Sequence, residues 1–389
     1  MKNKNNYLDK LYQKLGSEVN TLFWEETENI VINKLKSCIE KALEDEVTEF
    51  VKAERYQRTK TRRFYRHGHY KRKLVTRLGR INDLLVPRIR GHNLITKIFR
   101  KYKRIAPEIE LVILKSFILG VSTRDIKRLT KKLFNYEISH TTVSRILSEL
   151  DELAYKFKRG KILQRYKYLI LDGVYISLKC IRKIKGVILV AMGIKDDNTQ
   201  EIIAFRLYPN ESESNWRDFL EDLVNRGLNT DSIKLVVHDG LEGLKNAVEL
   251  VFPFSRSQLC IKHKIENVAK RVKNRRLRSQ IYKDCSLIWK KKNINDILHQ
   301  LELFINKWNG LSPGAVKVLL YDFEKTLSYL DMPEEDWILI KTTSRLERAF
   351  KFVRKRTNNM GAFNGQKSAE RIFACLFEEY NFRRKNKDV

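Results

Sequence analysis

The order of apolar and polar residues predicts helices at both ends of the chain and strands between them. Up to residue 56, and again from 107 to 160, apolar residues recur three or four positions apart, the spacing of amphipathic helices. From 161 to 275 short apolar runs alternate with helical stretches, and from 276 to 340 only helical spacing remains. We therefore predict a mixed α/β fold with three adjoining antiparallel strands, then β-α-β-α units, then an all-helical insertion.

One predicted strand carries a carboxylate. The run YLILDGVYISLK, residues 168–179, places Asp172 among β-branched and aromatic residues. A carboxylate buried in a strand is costly unless it is paired or holds a metal ion. Two interpretations fit the run. Asp172-Gly173 could turn a hairpin, because Asp-Gly is a strong turn signal, or the strand could be continuous and Asp172 could have a functional partner.

The net charge of the chain limits the classes of molecule that it is expected to bind. With 78 lysines and arginines against 47 aspartates and glutamates, the formal net charge is +31, which favours a polyanion or an acidic membrane. We expect double-stranded DNA, since no apolar stretch is long enough to span a membrane and the N-terminus lacks the apolar core of a signal peptide. Five scattered cysteines indicate a reducing compartment, so we predict a cytoplasmic location.

Residues 57–106 interleave basic and aromatic side chains, as in RRFYRHGHYKRK. The following LVTRLGRINDLLVPRIR predicts a short hairpin that turns at residues 78–80. Phosphate contacts combined with stacking suit such a region. We assign these contacts to four arginines: Arg62, Arg63, Arg66 and Arg72.

The helices predicted after residue 107 resemble a helix-turn-helix, in which the second helix is predicted over residues 140–157. Ser122, followed by Asp125, is predicted to cap the first of the two helices, and Ser139 to cap the second. Polar residues at the start of the second helix would meet base edges: Thr141, Thr142 and Arg145. An ordinary helical pair in a bundle fits the same pattern.

Three distant carboxylates would form a site for hard divalent cations if the fold brought them together. Asp172 and Asp239 would share one edge of the sheet if the first and fourth strands lie side by side, and like charges that close need a cation. Two Mg²⁺ or Mn²⁺ ions roughly 3.5–4 Å apart can clamp the oxygens of a phosphoryl transfer. The third is Glu347, on a late helix. Simpler explanations remain: Asp239 can turn the chain and cap a helix, and Glu347 can be a surface partner of Arg345 and Arg348.

Cys260 and His263 share one face at the start of a helix, because they are three residues apart. No second pair has matching spacing, so a zinc site built on them would be incomplete. We predict a packing or substrate-side role near the sheet edge.

In combination, four segments resemble the Mutator-type transposases of prokaryotic insertion sequences, a family with a ribonuclease H-like catalytic core. The segments are GVSTRDIKRLTKKLFNYEISHTTVSRI (120–146), YLILDGVYISLK (168–179), VVHDGLEGLKNAVELVFPFSRSQLCIKHKIENV (236–268) and TTSRLERAFKFVRKRTNNMGAF (342–363). The resemblance implies a metal-binding Asp-Asp-Glu triad at Asp172, Asp239 and Glu347. It places the family's Cys-x-x-His signature on Cys260 and His263.

The resemblance also implies a function. We expect a DNA transposase that binds transposon terminal inverted repeats, cleaves DNA with two divalent ions and joins the 3′-hydroxyl ends to target DNA. Arg145, Arg345, Arg348 and the basic stretch would hold phosphates. We expect a homodimer or higher oligomer on DNA, associated with a prokaryotic nucleoid. Two alternatives are a ribonuclease H-like nuclease without strand transfer and a non-catalytic, domesticated or decayed DNA-binding regulator.

On this basis the chain divides into six regions. They are an N-terminal helical region (1–56), a basic β-hairpin-like DNA-contact region (57–106), a helix-turn-helix-like DNA-binding region (107–160), the first part of the ribonuclease H-like core (161–275), an all-helical insertion (276–340) and the last part of the core with a basic tail (341–389).

Overall fold

The computed structural model describes residues 21–60, 62–93, 96–99, 104–119, 121–134, 136–179, 183–358, 363 and 365–385. The predicted helical residues 1–20 and the end of the basic tail, 386–389, lie outside these ranges. The chain divides into two compact units, Met1–Ser148 and Glu149–Val389.

The first unit begins with a long helix packed on a two-stranded antiparallel sheet. Its elements are α1 (Thr21–Val51), β1 (Arg66–Thr76) and β2 (Gly79–Ile89). A buried apolar core joins the helix to the strands through Leu43, Leu74, Ile81 and Leu84. The predicted hairpin is confirmed, but it is longer than predicted. Thr76 pairs with Gly79, so the turn is formed by residues 77–78 and the expected turn at 78–80 is wrong.

Three short helices in mutual contact complete the first unit. They are α2 (Pro107–Leu119), α3 (Thr123–Phe134) and α4 (His140–Ser148). Both predicted caps are confirmed. Oγ of Ser122 accepts a hydrogen bond from the Asp125 backbone N–H at 3.1 Å, and Oγ of Ser139 accepts one from the Thr142 N–H at 3.2 Å.

The helix predicted over residues 140–157 is interrupted. Helix α4 ends at Ser148, and a separate helix, α5 (Asp151–Arg159), follows in the second unit. The two helices bury their apolar faces in different cores. Val143 of α4 is fully buried in the first unit, whereas the ring of Phe157 on α5 packs against Phe205 of the second.

The second unit is built on a five-stranded mixed sheet with the strand order β5-β4-β3-β6-β7. The strands are β3 (Tyr168–Lys179), β4 (Lys183–Ile194), β5 (Gln200–Tyr208), β6 (Leu235–His238) and β7 (Arg256–Leu259). The first three pair antiparallel, and β6 and β7 continue the sheet in parallel. The mixed α/β class and the three adjoining strands are confirmed. Because β3 is continuous, a hairpin turn at Asp172-Gly173 is wrong.

Helices cover both faces of this sheet. On one face α6 (Glu213–Asn225) and α7 (Glu242–Val251) bury large side chains such as Trp216 against β3. On the other face Phe205 of β5 packs against α5 and against α14 (Gln366–Lys385). No helix among the described residues is both long and apolar enough to cross a bilayer.

Residues 276–340 contain helices and no strand. Around this stretch lie α8 (Ile261–Lys270), α9 (Arg275–Ile288), α10 (Ile294–Trp308), α11 (Pro313–Leu320) and α12 (Trp337–Ile340), with 3₁₀ turns at Glu324–Thr326, Ser328–Asp331 and Glu334–Asp336. The chain then returns to the sheet through α13 (Ser344–Thr357), which contacts β3.

Other parts of the same chain cover both edges of the sheet. At the β5 edge, the side-chain amide of Asn381 on α14 accepts from the Ile202 N–H at 2.9 Å and donates to the Ile202 carbonyl at 3.0 Å. At the β7 edge, Ser328 Oγ donates to the Ser257 carbonyl at 2.7 Å. Side chains therefore satisfy backbone groups that an added strand would use.

Candidate catalytic site

The sheet places Asp172 and Asp239 next to each other. Strands β3 and β6 run parallel with Ile170 opposite Val237, and each aspartate lies two residues beyond that pair. The two carboxylates therefore meet where β6 ends and β3 continues. The predicted side-by-side position of the first and fourth strands is confirmed.

Short-range hydrogen bonds fix both aspartates. The Gly173 N–H donates to Oδ1 of Asp172 at 2.8 Å, and the Leu241 N–H donates to Oδ1 of Asp239 at 3.1 Å. Asp239 therefore lies in a tight turn that leads into α7. The turn predicted from Asp-Gly and the shared edge with Asp172 are both present at this position.

His238 supports this turn from the interior. Its ring is fully buried. Nδ1 accepts from the Gly240 N–H at 3.2 Å, so the ring proton is on Nε2, which lies 2.8 Å from Oγ of Ser257. Burial lowers the pKa of His238 to about 4, and the neutral ring keeps both contacts. The structure gives His238 a positioning role behind Asp239.

A third carboxylate close to the two aspartates is Glu211, which the sequence analysis missed. Glu211 lies in the loop between β5 and α6. A Cβ atom at Gly173 would lie only 1.7 Å from Oε1 of Glu211, so the glutamate occupies space that only glycine leaves open. The Tyr175 hydroxyl is near enough to alter the pKa of Glu211.

These three carboxylates repel one another. Burial and the charge of Asp239 raise the pKa of Asp172 to about 7, and the same two causes raise that of Glu211 to about 7. Burial also raises the pKa of Asp239. Among the described residues no lysine, arginine or histidine forms an ion pair with any of the three. Such a group favours a bound cation.

Glu347 approaches from the first turn of α13 and has different partners. It forms an ion pair with Lys262, and Oε1 lies 3.8 Å from Nε2 of His263. Both partners belong to α8. Helix α13 is fixed to that region because Thr343 donates from its backbone N–H to the Cys260 sulfur at 3.3 Å.

Cys260 and His263 therefore connect the elements of the site. The Cys260 thiol raises the pKa of His263 to about 9, and the charges of Asp172 and Asp239 raise it further, against the effect of burial. Nδ1 of His263 has no well-formed hydrogen bond within the described part of the chain. A charged His263 partly offsets the neighbouring carboxylates. The packing or substrate-side role predicted for Cys260 and His263 stays a prediction.

The oxygen-rich side chains fit hard divalent cations, with one restriction. Asp172, Asp239 and Glu211 supply carboxylate oxygens, the ligands that Mg²⁺ and Mn²⁺ prefer. The Gly173 cradle leaves room for Glu211 beside Asp172. In the described ranges, however, no three His, Cys, Asp or Glu side chains are arranged to hold an ion directly. Glu347 is bound to Lys262 instead.

A basic cavity of about 840 Å³ opens beside Asp239. Residues of α8, α11 and the segments that follow them line it, including Lys264, Lys270, Arg271, Lys317 and Tyr321. The Tyr321 side chain is 61% exposed, and Nζ of Lys245 lies 5.7 Å from its ring centroid. One acid in the wall, Asp322, is paired with Lys245 at 2.8 Å. Cations and an exposed ring next to a carboxylate suit a nucleic-acid strand.

The predicted DNA-binding arginines differ in their surroundings. Arg66 donates to the Ala53 carbonyl at 2.8 Å, and the Arg72 guanidinium lies 4.0 Å from the Phe99 ring centroid. Arg345 donates to the Gln200 side chain at 3.1 Å. These three arginines contact other parts of the chain and stabilise the fold. Arg62 is half-buried, while Arg63, Thr141, Arg145 and Arg348 are exposed and Thr142 is partly so.

Comparisons with known proteins show which proteins the chain is similar to. The model of a family described as "Transposase, Mutator family" matches residues 10–385. The chain is 29% identical over 320 residues to the transposase for insertion sequence element IS905 of Lactococcus lactis, covering 82% of this chain and 80% of that protein. It is 29% identical over 346 residues to the transposase for ISRM5 of Rhizobium meliloti, with 89% and 86% covered. It is 28% identical over 356 residues to the transposase for IS256 in transposon Tn4001 of Staphylococcus aureus, with 88% of each covered.

Proposed function

This chain belongs to the Mutator family of transposases, and from that premise we propose that it cuts DNA at the ends of a mobile element and joins them to a target. The observation that carries the proposal is the meeting of Asp172 and Asp239 at one end of the parallel strands β3 and β6. In the proposal the second unit is a ribonuclease H-like core that uses two divalent ions, Mg²⁺ or Mn²⁺.

Asp172 and Asp239 would hold the ions, and Glu347 would complete the set as the resemblance implies. When bound, the ions would activate the attacking water or 3′-hydroxyl and stabilise the leaving oxygen of the phosphodiester. The Gly173 and Leu241 N–H groups keep the two aspartates oriented. His263, charged at neutral pH, reduces the repulsion among the carboxylates before a cation arrives.

The protein surface would bind the DNA on which the site acts. The exposed start of α4, with Thr141, Thr142 and Arg145, is the proposed reader of terminal inverted repeats. Arg63, Arg348 and the basic cavity beside Asp239 would hold phosphates. We propose that the protein acts in a prokaryotic cytoplasm on nucleoid DNA, as a homodimer or larger assembly.

A pair of isosteric variants tests the proposal. Asp172→Asn removes one carboxylate of the site, and Asp231→Asn makes the same change at an exposed position. We expect Asp172→Asn to lose cleavage and joining by about a thousandfold or more while DNA affinity is kept. The assay uses labelled duplexes of the element's own ends with Mg²⁺ or Mn²⁺, and a pre-nicked end with target DNA for the joining step.

Each outcome separates the candidate functions. If the wild type cleaves DNA but does not join the pre-nicked end to target DNA, the nuclease alternative is supported and strand transfer is excluded. Specific binding of the ends with no metal-dependent cleavage would support the non-catalytic regulator. If Asp172→Asn and Asp231→Asn are equally active, Asp172 takes no part in the reaction.

A further inference from the structure

Glu211 is held in place by its neighbours on both sides. Oδ1 of Asn210 accepts from the Ser212 N–H at 3.1 Å and from the Asn215 side-chain amide at 2.9 Å. Oγ of Ser212 caps α6 by accepting from the Asn215 N–H at 3.3 Å. The loop therefore presents Glu211 from a fixed backbone.

Helix packing fixes the same loop from behind. A Cβ atom at Gly243, in the first turn of α7, would lie 2.8 Å from the backbone nitrogen of Glu213. Helix α7 therefore packs closely against the start of α6, and a side chain at residue 243 would push the two apart. Two glycines thus control this carboxylate: Gly243 lets α7 close on its backbone, and Gly173 leaves room for its side chain.

The Glu211 side chain ends beside Asp172, where its carboxylate can serve the same cation. Its carboxylate lies over Gly173, the residue after Asp172, and forms no ion pair in the described part of the chain. Glu211 is half-buried beside two aspartates and has no cationic partner there, although the chain has a net charge of +31. Glu347, by contrast, is neutralised by Lys262.

We propose that Glu211 is a further metal-site residue, which holds a divalent ion bound at Asp172 and Asp239 through ordered water. This inference rests on the proposed function, because it assigns Glu211 to the same metal centre. Mg²⁺ keeps several of its waters when bound to proteins, so a carboxylate at the rim of the site can act through one. Nothing in the Asp-Asp-Glu pattern indicates this residue.

Metal affinity measured without DNA tests the inference. The free Mn²⁺ signal in electron paramagnetic resonance gives the dissociation constant for the full chain. We expect Glu211→Gln to weaken Mn²⁺ binding about tenfold or more, and Asp172→Asn to weaken it at least as much. Glu213→Gln is the matched control: it makes the same change two residues away on an exposed side chain that bonds to Asn246.

A second variant displaces the Glu211 carboxylate without changing Glu211 itself. Gly173→Ala leaves every acid in the chain but places a Cβ atom where Glu211 now lies. We expect it to weaken Mn²⁺ binding as Glu211→Gln does. The unfolding temperature of each variant, measured without metal, shows whether the fold is kept. Glu211→Asp, a shorter carboxylate, should recover part of the affinity.

The outcomes distinguish this inference from the proposed function. Wild-type affinity in Glu211→Gln, alongside weakened binding in Asp172→Asn, would overturn the role of Glu211 and leave the metal centre standing. No measurable Mn²⁺ binding by the wild type would overturn both. In the cleavage assay, a rise in the Mg²⁺ concentration for half-maximal rate, with DNA affinity unchanged, supports the inference.

Discussion

The buried carboxylate of Asp336 connects the insertion to the first strand of the sheet. Its Oδ2 accepts from Nζ of Lys167 at 2.7 Å and from the Tyr168 hydroxyl at 2.8 Å. Burial alone would raise the pKa of Asp336, but these two hydrogen bonds, together with the charge of Lys167 and the Asn198 side chain, outweigh burial and hold the pKa below its ordinary value. The ionised pair therefore stabilises the folded state above the unfolded pKa near 3.9, and that contribution is lost as the pH falls through the folded pKa.

We therefore expect Asp336→Asn to lower the free energy of unfolding by about 3 kcal/mol at pH 7. The loss should shrink as the pH falls below about 4, because the carboxyl of the unfolded wild-type chain then takes up a proton that the folded carboxylate resists. Urea unfolding at pH 7, 5 and 3.5 measures it. Asp331→Asn, at an exposed ion pair with Arg256, should cost less than about 1 kcal/mol. A pH-independent difference for Asp336→Asn would contradict the argument.

Single residues differ in how far the sequence reveals them. Asp172 and Asp239 stand out in the sequence because Asp172 interrupts an apolar strand and Asp239 ends one. Burying a carboxylate there is costly unless it is paired or binds a cation. Glu211 lies in a loop, and no periodicity indicates where a loop side chain points. The available signal is indirect: a glycine directly after Asp172 and a serine cap directly after Glu211. Neither position identifies the other without the fold.

Helix α4 is the element on which end recognition depends in the proposed function. Arg145 is exposed six residues after the Ser139 cap, on the side of α4 away from the buried Val143 and Ile146. We expect Arg145→Ala to weaken binding to the element's terminal repeat about tenfold, as for an arginine that contacts a base edge. Fluorescence anisotropy with the repeat and with a scrambled duplex measures the change.

Arg128→Ala is the matched control on the neighbouring helix, since Arg128 is exposed and faces Asp125 at 3.4 Å. It should leave discrimination between the two duplexes unchanged. An equal loss on both duplexes for Arg145→Ala would make Arg145 a phosphate contact. No loss on either would exclude α4 from the interface at this position.

The break between α4 and α5 shows why element boundaries are hard to predict. Residues 140–157 have a continuous helical spacing of apolar positions, so periodicity alone joins them. The helix is interrupted at residues 149–150, where the chain passes from the first unit to the second. The caps at Ser122 and Ser139 could be predicted because they depend only on residues three positions away.

Across the whole molecule, the excess of positive charge predicts strongly salt-dependent DNA binding. Each phosphate contact contributes about 0.9 to the slope of log affinity against log salt concentration. We expect Lys270→Ala with Arg271→Ala, in the wall of the cavity beside Asp239, to lower the magnitude of that slope by about 1.8. Anisotropy titrations between low and physiological salt measure it.

Lys290→Ala with Lys291→Ala removes the same charge from exposed positions after α9 and serves as the control. If both double variants change the salt slope equally, the salt dependence of DNA binding reflects net charge alone and not contacts made by the cavity wall. Mn²⁺ affinity should be unchanged in both, because none of the four residues is placed in the metal centre.

At this largest scale the sequence predicts the class of fold but not all of its boundaries. The alternation of strands and helices from 161 to 275 is enough to predict the mixed sheet and the neighbouring positions of β3 and β6. The division of the chain after Ser148 depends on which core each helix joins, and no local pattern carries that information. The six finer regions, including the ribonuclease H-like core, stay predictions.

The covered sheet edges limit how copies of this protein can associate. Asn381 occupies both backbone groups of Ile202 on β5, and Ser328 occupies the carbonyl of Ser257 on β7. A second copy cannot extend the sheet by adding a strand at either place without first displacing these side chains. Contacts between copies on DNA would then have to use surfaces other than these two strand edges. Loss of the chain from Asn381 onward would expose a strand edge prone to aggregation.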